Sequence, residues 1–124
     1  MPTRVYMYPT GRAGVALYTY KFANALADQG LLVMQFIGGQ YELDNLPAKF
    51  NKVRVLSNEY PGVRTKQGRI SRPVDVVWSH CYNSNKFYSY VKKDNPEIVH
   101  LQSFFFYPVE WHLLNRLRRI NSRV

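Results

Sequence analysis

The fold is decided by residues 3–39, which read TRVYMYPTGRAGVALYTYKFANALADQGLLVMQFIGG. An apolar run at each end flanks a stretch in which apolar residues recur with helical spacing. Parallel strands are joined by a long crossover, usually a helix, so this order predicts a βαβ unit. Its connection is expected to be right-handed.

The three parts of this unit have clear limits. We predict the first strand over residues 3–8, the helix over residues 13–29 and the second strand over residues 31–37. Gly30 is a typical stop signal for the helix. The second strand is almost entirely apolar, as expected for a parallel strand buried on both faces. Five residues at helical spacing predict the inward face of the helix: Val15, Tyr18, Phe22, Ala25 and Leu26.

The rest of the chain continues the alternation of strands and helices. The predicted elements are a loop over 40–51, a short strand nearer the edge over 52–56 and a basic loop over 58–72. A helix is predicted from Pro73, with Cys81, Ser84, Tyr88 and Val91 on its inward face, and residues 94–96 (Asp-Asn-Pro) are predicted to end it. A strand over 97–102 and a helix over 108–119 follow. Residues 122–124 resemble the opening of a further strand. This order predicts an α/β fold, a Rossmann-like, doubly wound and mostly parallel sheet, in one domain over residues 1–124.

Charge is the strongest compositional bias. The chain has 124 residues, with 17 Lys and Arg against 8 Asp and Glu, for a formal net charge of +9. Such an excess attracts nucleic acids, acidic lipid head groups or phosphorylated small molecules, and by itself does not choose among them.

Several classes of protein are disfavoured by what the sequence lacks. It contains no apolar run of about 18 residues and no secretory signal pattern, so we predict a cytoplasmic protein, in one reading at the periphery of a membrane. Cys81 is the only cysteine, which excludes an internal disulfide, and it is predicted to be an inert core thiol. Carboxylates such as Glu110 are scattered and are predicted to be solvated charges or helix caps. No metal site and no catalytic set can be assembled from these residues.

The first candidate site is the loop before the first helix. Gly11 and Gly14 would let the backbone approach a ligand, and the helix N-terminus beyond them suits phosphate. Arg12 would add a bidentate donor. The pattern lacks the glycine spacing of a dinucleotide loop and the lysine of a P-loop, so no nicotinamide cofactor is expected. Anion binding and a tight turn without a ligand both remain open for this loop.

The second candidate site follows the strand over residues 97–102. His100 and Gln102 share one face of this strand, and Ser103 follows them. A functional histidine here would contact a hydroxyl or phosphate of a substrate. The alternative is a buried, hydrogen-bonded histidine with a structural role.

Four segments together resemble a known family. Residues 8–19 and 25–33 resemble the first βαβ unit of family 4-like glycosyltransferases, with its glycine-rich loop and "aLa-x-x-G" helix end. Residues 95–102, NPEIVHLQ, are similar to the "P-D-I-V-H-x-H/Q" strand of that family, and residues 111–119 to the helix after it. The resemblance covers nearly the whole chain and is weakest over residues 40–90.

The resemblance implies a GT-B fold, in which two Rossmann-like domains face each other across a cleft. The N-terminal domain of that fold mainly holds the acceptor, and the C-terminal domain mainly holds the nucleotide sugar. By position, Gly11 and Gly14 would lie near the donor diphosphate, while His100, Gln102 and the loop beyond them would border the acceptor, a glycan or a lipid. The family is typically metal-independent and takes the nucleotide sugar as a substrate, so no separate cofactor is implied.

Two departures from the family pattern affect this expectation. Arg12 and Ala13 stand where many members have glycines. The "T-x-H-N"-like strand end and the nucleotide-binding domain of the family are not among these residues. We therefore expect a fragment, a truncated gene product or half of a split enzyme, inactive without a C-terminal domain partner.

A different class of function competes with this one. The positive charge and the ten tyrosines are compatible with a basic module that binds polyanions, either nucleic acid or an anionic membrane. The basic residues are spread over several elements, and no signature of an RRM, KH or helix-turn-helix domain is present. Specific nucleic-acid binding is therefore not expected.

Overall fold

The computed structural model of the chain describes residues 2–9, 13–38, 41, 43–57, 73–102, 107–121 and 123–124. The strands and helices are β1 (Arg4–Tyr8), α1 (Ala13–Asp28), β2 (Leu32–Ile37), β3 (Asn51–Arg54), α2 (Pro73–Asp94), β4 (Ile98–Leu101) and α3 (Tyr107–Ile120). Each of these elements was predicted from the sequence within a few residues of its ends. The predicted basic loop over 58–72 lies outside the described residues.

The four described strands form one all-parallel sheet in the order β3-β2-β1-β4. From β1 the chain adds β2 and β3 on one side, and then crosses to add β4 on the other. Crossovers of equal hand that run in opposite directions place their helices on opposite faces of the sheet. The structure has this arrangement, with one hydrophobic core between α1 and one face of the sheet and a second core between α2, α3 and the other face. The predicted Rossmann-like, doubly wound α/β fold is confirmed.

The larger core lies between the sheet and α2 with α3. Phe87 of α2 is fully buried, stacks on Tyr8 with ring centroids 4.9 Å apart and meets the edge of Phe36 at 5.0 Å. Tyr6 is also buried, and its hydroxyl donates a hydrogen bond to a carboxylate oxygen of Asp94. Burial, with this hydrogen bond second, raises the pKa of Tyr6 above its ordinary value. Aromatic packing therefore dominates this face of the sheet.

The inward face of α1 differs from the prediction. Ala16, Thr19 and Ala23 are the buried residues, whereas Val15 and Tyr18, predicted inward, are exposed. Small side chains at the contact let the helix approach the sheet closely, with larger residues such as Phe22 packing at its sides. The helix limits were predicted correctly, but its rotation was not.

The described part of the connection from β2 to β3, residues 43–50, is irregular and contains no helix. Phe50, just before β3, is buried in the core under α1. The backbone N–H of Lys49 donates to Oδ1 of Asn24 at 2.8 Å, and the hydroxyl of Tyr20 donates to the carbonyl of Pro47. These contacts attach the segment to α1, so the loop predicted here covers the α1 face as part of the fold.

Residues in the left-handed region end two of the helices. Gly30, with φ of 86°, follows α1, and the N–H of Leu31 bonds to the carbonyl of Leu26 at 3.3 Å. The N–H of Gly30 bonds to the carbonyl of Ala27 at 3.0 Å, which completes a Schellman motif. Asn95, with φ of 45°, ends α2 in the same region of backbone space. Both helix ends lie where the sequence predicted them.

At the amino edge of the sheet, Arg4 and Glu97 join β1 to the segment before β4. The backbone N–H of Arg4 donates to Oε2 of Glu97 at 2.8 Å, and its Nε donates to the same oxygen at 3.1 Å. The side-chain hydrogen bond from Arg4, followed by the backbone hydrogen bonds, lowers the pKa of Glu97 from 4.5 to about 2.

Because the folded state lowers the pKa of Glu97, the ionised carboxylate stabilises the fold above about pH 4.5. That contribution is lost as the pH falls toward 2. We expect Glu97→Gln to lower the free energy of unfolding at neutral pH. The difference in this free energy between the variant and the unmodified chain should disappear as the pH falls from 4.5 to about 2. Urea titrations at several pH values measure this difference.

Asp28→Asn, which breaks the exposed pair of Asp28 with Lys49, is the control, and its free energy of unfolding is expected to change little. An equal loss at pH 2 and pH 7 would contradict the assignment.

Beyond α3 the chain returns to the sheet. The N–H of Val99 donates to the carbonyl of Arg123 at 3.1 Å, and Val124 packs against the larger core. Residue 123 thus lies beside β4 on its outer edge, where the sequence predicted the opening of a further strand.

Candidate functional site

The carboxyl edge of the sheet is the candidate site, at the point where β1 and β4 lie side by side. The N–H of Gln102 donates to the carbonyl of Tyr8 at 3.0 Å, so the pairing of the two strands continues past the end of β4. The chain leaves β1 toward α1 on one face and leaves β4 toward α3 on the other. Ligands of doubly wound sheets bind in the crevice that such a reversal creates.

His100 and Gln102 meet at this edge. Nε2 of His100 lies 2.8 Å from Oε1 of Gln102, and both residues are half-buried. An amide oxygen can only accept, so Nε2 donates this bond, and in the neutral form of the ring Nδ1 is then the acceptor. The imidazole also packs against Phe22 of α1, with ring centroids 5.0 Å apart. The prediction that the two side chains share one face is confirmed, and α1 and Gln102 hold the ring in one orientation.

Gly14 lies in the first turn of α1, at the same edge of the sheet. It is exposed, and a Cβ built on it would meet nothing within 4 Å. The packing of the described chain therefore does not require glycine here, which leaves room beside the first-turn N–H groups. The other predicted site residues, Gly11, Arg12 and Ser103, lie outside the described residues.

A buried amide that the sequence analysis missed lies two strands from His100. Met7 pairs with Gln35 on one side and with His100 on the other, so the three side chains form a row on the α1 face. Gln35 is buried and donates from Nε2 to the carbonyl of Met7 at 3.2 Å. Its Oε1 has no hydrogen-bond partner among the described residues. Gln35 was hidden in the sequence because it interrupts an otherwise apolar strand.

The other face carries a second buried polar cluster, around Glu110 and His80. Glu110 in the first turn of α3 is only 1% exposed, and its Oε1 lies 3.6 Å from Nδ1 of His80. It is therefore not a solvated charge, the first of the two roles predicted for it, and its position in the first turn is compatible with the other, a helix cap. Nearby, Oδ1 of Asn83 accepts from the backbone N–H of Ser57 at 2.8 Å, which fastens the segment after β3 to α2. Both contacts join distant parts of the chain, so no local spacing could have predicted them.

Cys81 is exposed, which corrects its prediction as a core thiol. Ser84 and Val91 of the predicted stripe are buried, as expected. Asn83 and Phe87 are buried in place of Cys81 and Tyr88, so the buried face of α2 is rotated from the predicted one. Within the described ranges, no three His, Cys, Asp or Glu side chains lie close enough together to hold a metal ion.

Comparisons of this chain with protein families, with curated proteins and with solved structures find no match in any of the three. The resemblance to family 4-like glycosyltransferases therefore stays a prediction from the motifs. The structure places Gly14, His100 and Gln102 at the same edge of the sheet.

Proposed function

We propose that this chain is the acceptor-side, N-terminal domain of a GT-B glycosyltransferase, which transfers a sugar from a nucleotide-sugar donor to a glycan or lipid acceptor. The observation that carries the proposal is the reversal of strand order between β1 and β4. It brings the glycine-containing start of α1 and the His100–Gln102 pair to one crevice, although they are more than 80 residues apart in sequence.

Each residue of the crevice has a role in this proposal. The first turn of α1 at Gly14 offers backbone N–H groups to the donor diphosphate, with Gly11 and Arg12 preceding it in the chain. His100, held by Gln102, presents Nδ1 as an acceptor toward a hydroxyl of the acceptor molecule. Ser103 follows this pair in sequence. The reacting groups themselves are not assigned.

Transfer in a GT-B enzyme needs a second, nucleotide-binding domain, so the 124-residue chain is expected to bind a donor weakly and to transfer nothing. Saturation-transfer NMR with UDP-glucose and GDP-mannose, combined with a transfer assay, tests both parts. Free glucose and free mannose are the controls, since they lack the diphosphate. Sugar transfer by this chain alone would contradict its role as one half of a cleft. Absence of any signal from the nucleotide sugars would contradict the donor contact.

Membrane association is a second candidate, favoured by exposed aromatic residues on α2. Trp78 is 61% exposed and stacks on Tyr82, itself 38% exposed, with ring centroids 5.3 Å apart. Such side chains are enriched at membrane interfaces, and the net charge of +9 would be attracted to anionic lipid. None of the described helices has the length and apolar character to cross a bilayer. This surface would suit a lipid-linked acceptor.

Vesicle flotation tests the membrane candidate. We expect the chain to float with vesicles that contain anionic lipid, and the bound fraction to fall in Trp78→Ala. Tyr18→Ala, which removes an exposed aromatic residue of α1 on the other face, is the matched control. Equal binding to neutral vesicles would contradict attraction of the chain by anionic lipid. An equal fall in the bound fraction of both variants would contradict a specific contribution of Trp78.

A further inference from the structure

A groove of about 270 Å³ lies between α2 and α3. These helices cover the sheet face opposite α1, so the sheet separates the groove from His100. The side chains along it include Cys81, Ser84 and Asn85 of α2 and Val109, His112 and Arg116 of α3. Its volume is near the lower end for pockets that bind small molecules. Neither the crevice nor the proposed transferase activity uses it.

Two hydrogen-bond donors on residues that line this groove are buried and have no partner in the described part of the chain. Ser84 is only 3% exposed, and its Oγ has no hydrogen-bond partner among the described residues. The same holds for Nε of Arg116. A buried donor without a partner is destabilising, and most such groups in proteins are paired. Two of them along one groove indicate a ligand that accepts hydrogen bonds.

The guanidinium group of Arg116 is held in place before any ligand arrives. Its Nη2 donates to Oδ1 of Asn85 at 2.9 Å, and its plane lies over the ring of Tyr88 with 4.2 Å between Cζ and the ring centroid. A side chain fixed in this way loses little conformational entropy when a ligand binds.

The chemistry of the lining defines the ligand class. None of the described residues that line the groove is acidic, and Arg116 contributes a permanent positive charge. Val109 and Pro108 add apolar surface beside these donors. We infer that the groove binds a phosphate or carboxylate group that carries a small apolar substituent, with Arg116 and Ser84 as its donors.

Cys81 offers a direct readout, because it is the only cysteine of the chain, is exposed and lines the groove. The experiment measures the rate of Cys81 alkylation by iodoacetamide while phenyl phosphate is titrated against the whole chain. We expect phenyl phosphate to slow the alkylation in a saturable manner, and inorganic phosphate to do so at higher concentration. Absence of protection by phenyl phosphate would overturn the inference.

Three variants separate a specific site from general attraction. Arg116→Gln is expected to weaken protection by about tenfold or more, the usual effect of losing a charged hydrogen bond. Ser84→Ala should weaken it by about two- to tenfold without lowering the melting temperature, since it removes an unpaired buried hydroxyl. Arg118→Gln removes the same charge from the exposed last turn of α3 and should leave protection unchanged.

Equal weakening of protection in Arg116→Gln and Arg118→Gln would overturn the inference, because the protection would then depend only on the net charge of the chain.

Vesicles with and without phosphatidic acid identify the source of the anion. Protection by these vesicles that is lost in Arg116→Gln would indicate a lipid head group, and protection by phenyl phosphate alone a soluble molecule. Both results support the groove as an anion site. Protection by vesicles alone that persists in Arg116→Gln would overturn it.

Discussion

Replacement of Phe87 by alanine is expected to lower the free energy of unfolding by about 3–5 kcal/mol. Phe87 is 0% exposed and lies between Tyr8 and Phe36, so truncation leaves a cavity at the centre of the larger core. A domain of this size has a total stability of about 5–15 kcal/mol, so the variant should be only marginally folded at 25 °C. Urea denaturation followed by circular dichroism measures the difference.

Tyr82→Ala is the control for this prediction. It removes an aromatic ring from the same helix, but one that is exposed and stacks only on Trp78 among the described aromatic rings. The expected loss of stability is about 1 kcal/mol or less. The pair also tests the rotation of α2, because Phe87 was not among the residues predicted to face inward. Similar losses in the two variants would contradict the observed rotation.

Gly14→Ala is expected to change stability and ligand binding in opposite directions. Alanine is the better helix former, and its Cβ meets nothing within 4 Å, so the fold should gain about 0.5–1 kcal/mol. If the first turn of α1 contacts a diphosphate, the added methyl group should weaken that contact by at least about tenfold, the effect of losing a charge-assisted hydrogen bond. Thermal denaturation and a titration with UDP measure the two effects.

Gly30→Ala is the matched control for Gly14→Ala. It is the same substitution at the other end of α1, where φ of 86° disfavours a side chain. We expect it to destabilise the fold by about 1 kcal/mol and to leave UDP binding unchanged. If Gly14→Ala stabilises the chain and UDP binding is unaffected, the loop has only its alternative role, a tight turn without a ligand.

The sequence was sufficient for the order and limits of the elements, since glycines, prolines and apolar runs are local signals. Gly30 and Asn95 end their helices where predicted. The rotation of the helices was not predictable in the same way. On α1, the stripe through Ala16, Thr19 and Ala23 has the same helical spacing as the predicted one, and hydrophobicity favoured the larger side chains. The smaller side chains face the sheet because they let the helix pack close to it.

The candidate site was predictable only in part, for a related reason. The pairing of His100 with Gln102 follows from the two-residue period of a strand, which is local. Gln35, Glu110 and Asn83 owe their environment to contacts with other elements. The spacing of residues along the chain does not indicate such a contact, so the burial of these three residues could be recognised only in the folded structure.

We propose that the crevice between the ends of β1 and β4 binds a nucleoside diphosphate. A titration of the ¹⁵N-labelled chain with UDP and GDP, followed in ¹H–¹⁵N correlation spectra at physiological salt, tests this proposal. We predict saturable shifts at Gly14, His100 and Gln102, with Asn95 and Arg123 at the opposite edge unchanged. Shifts that are spread over the basic residues and absent from the carboxyl edge would contradict it.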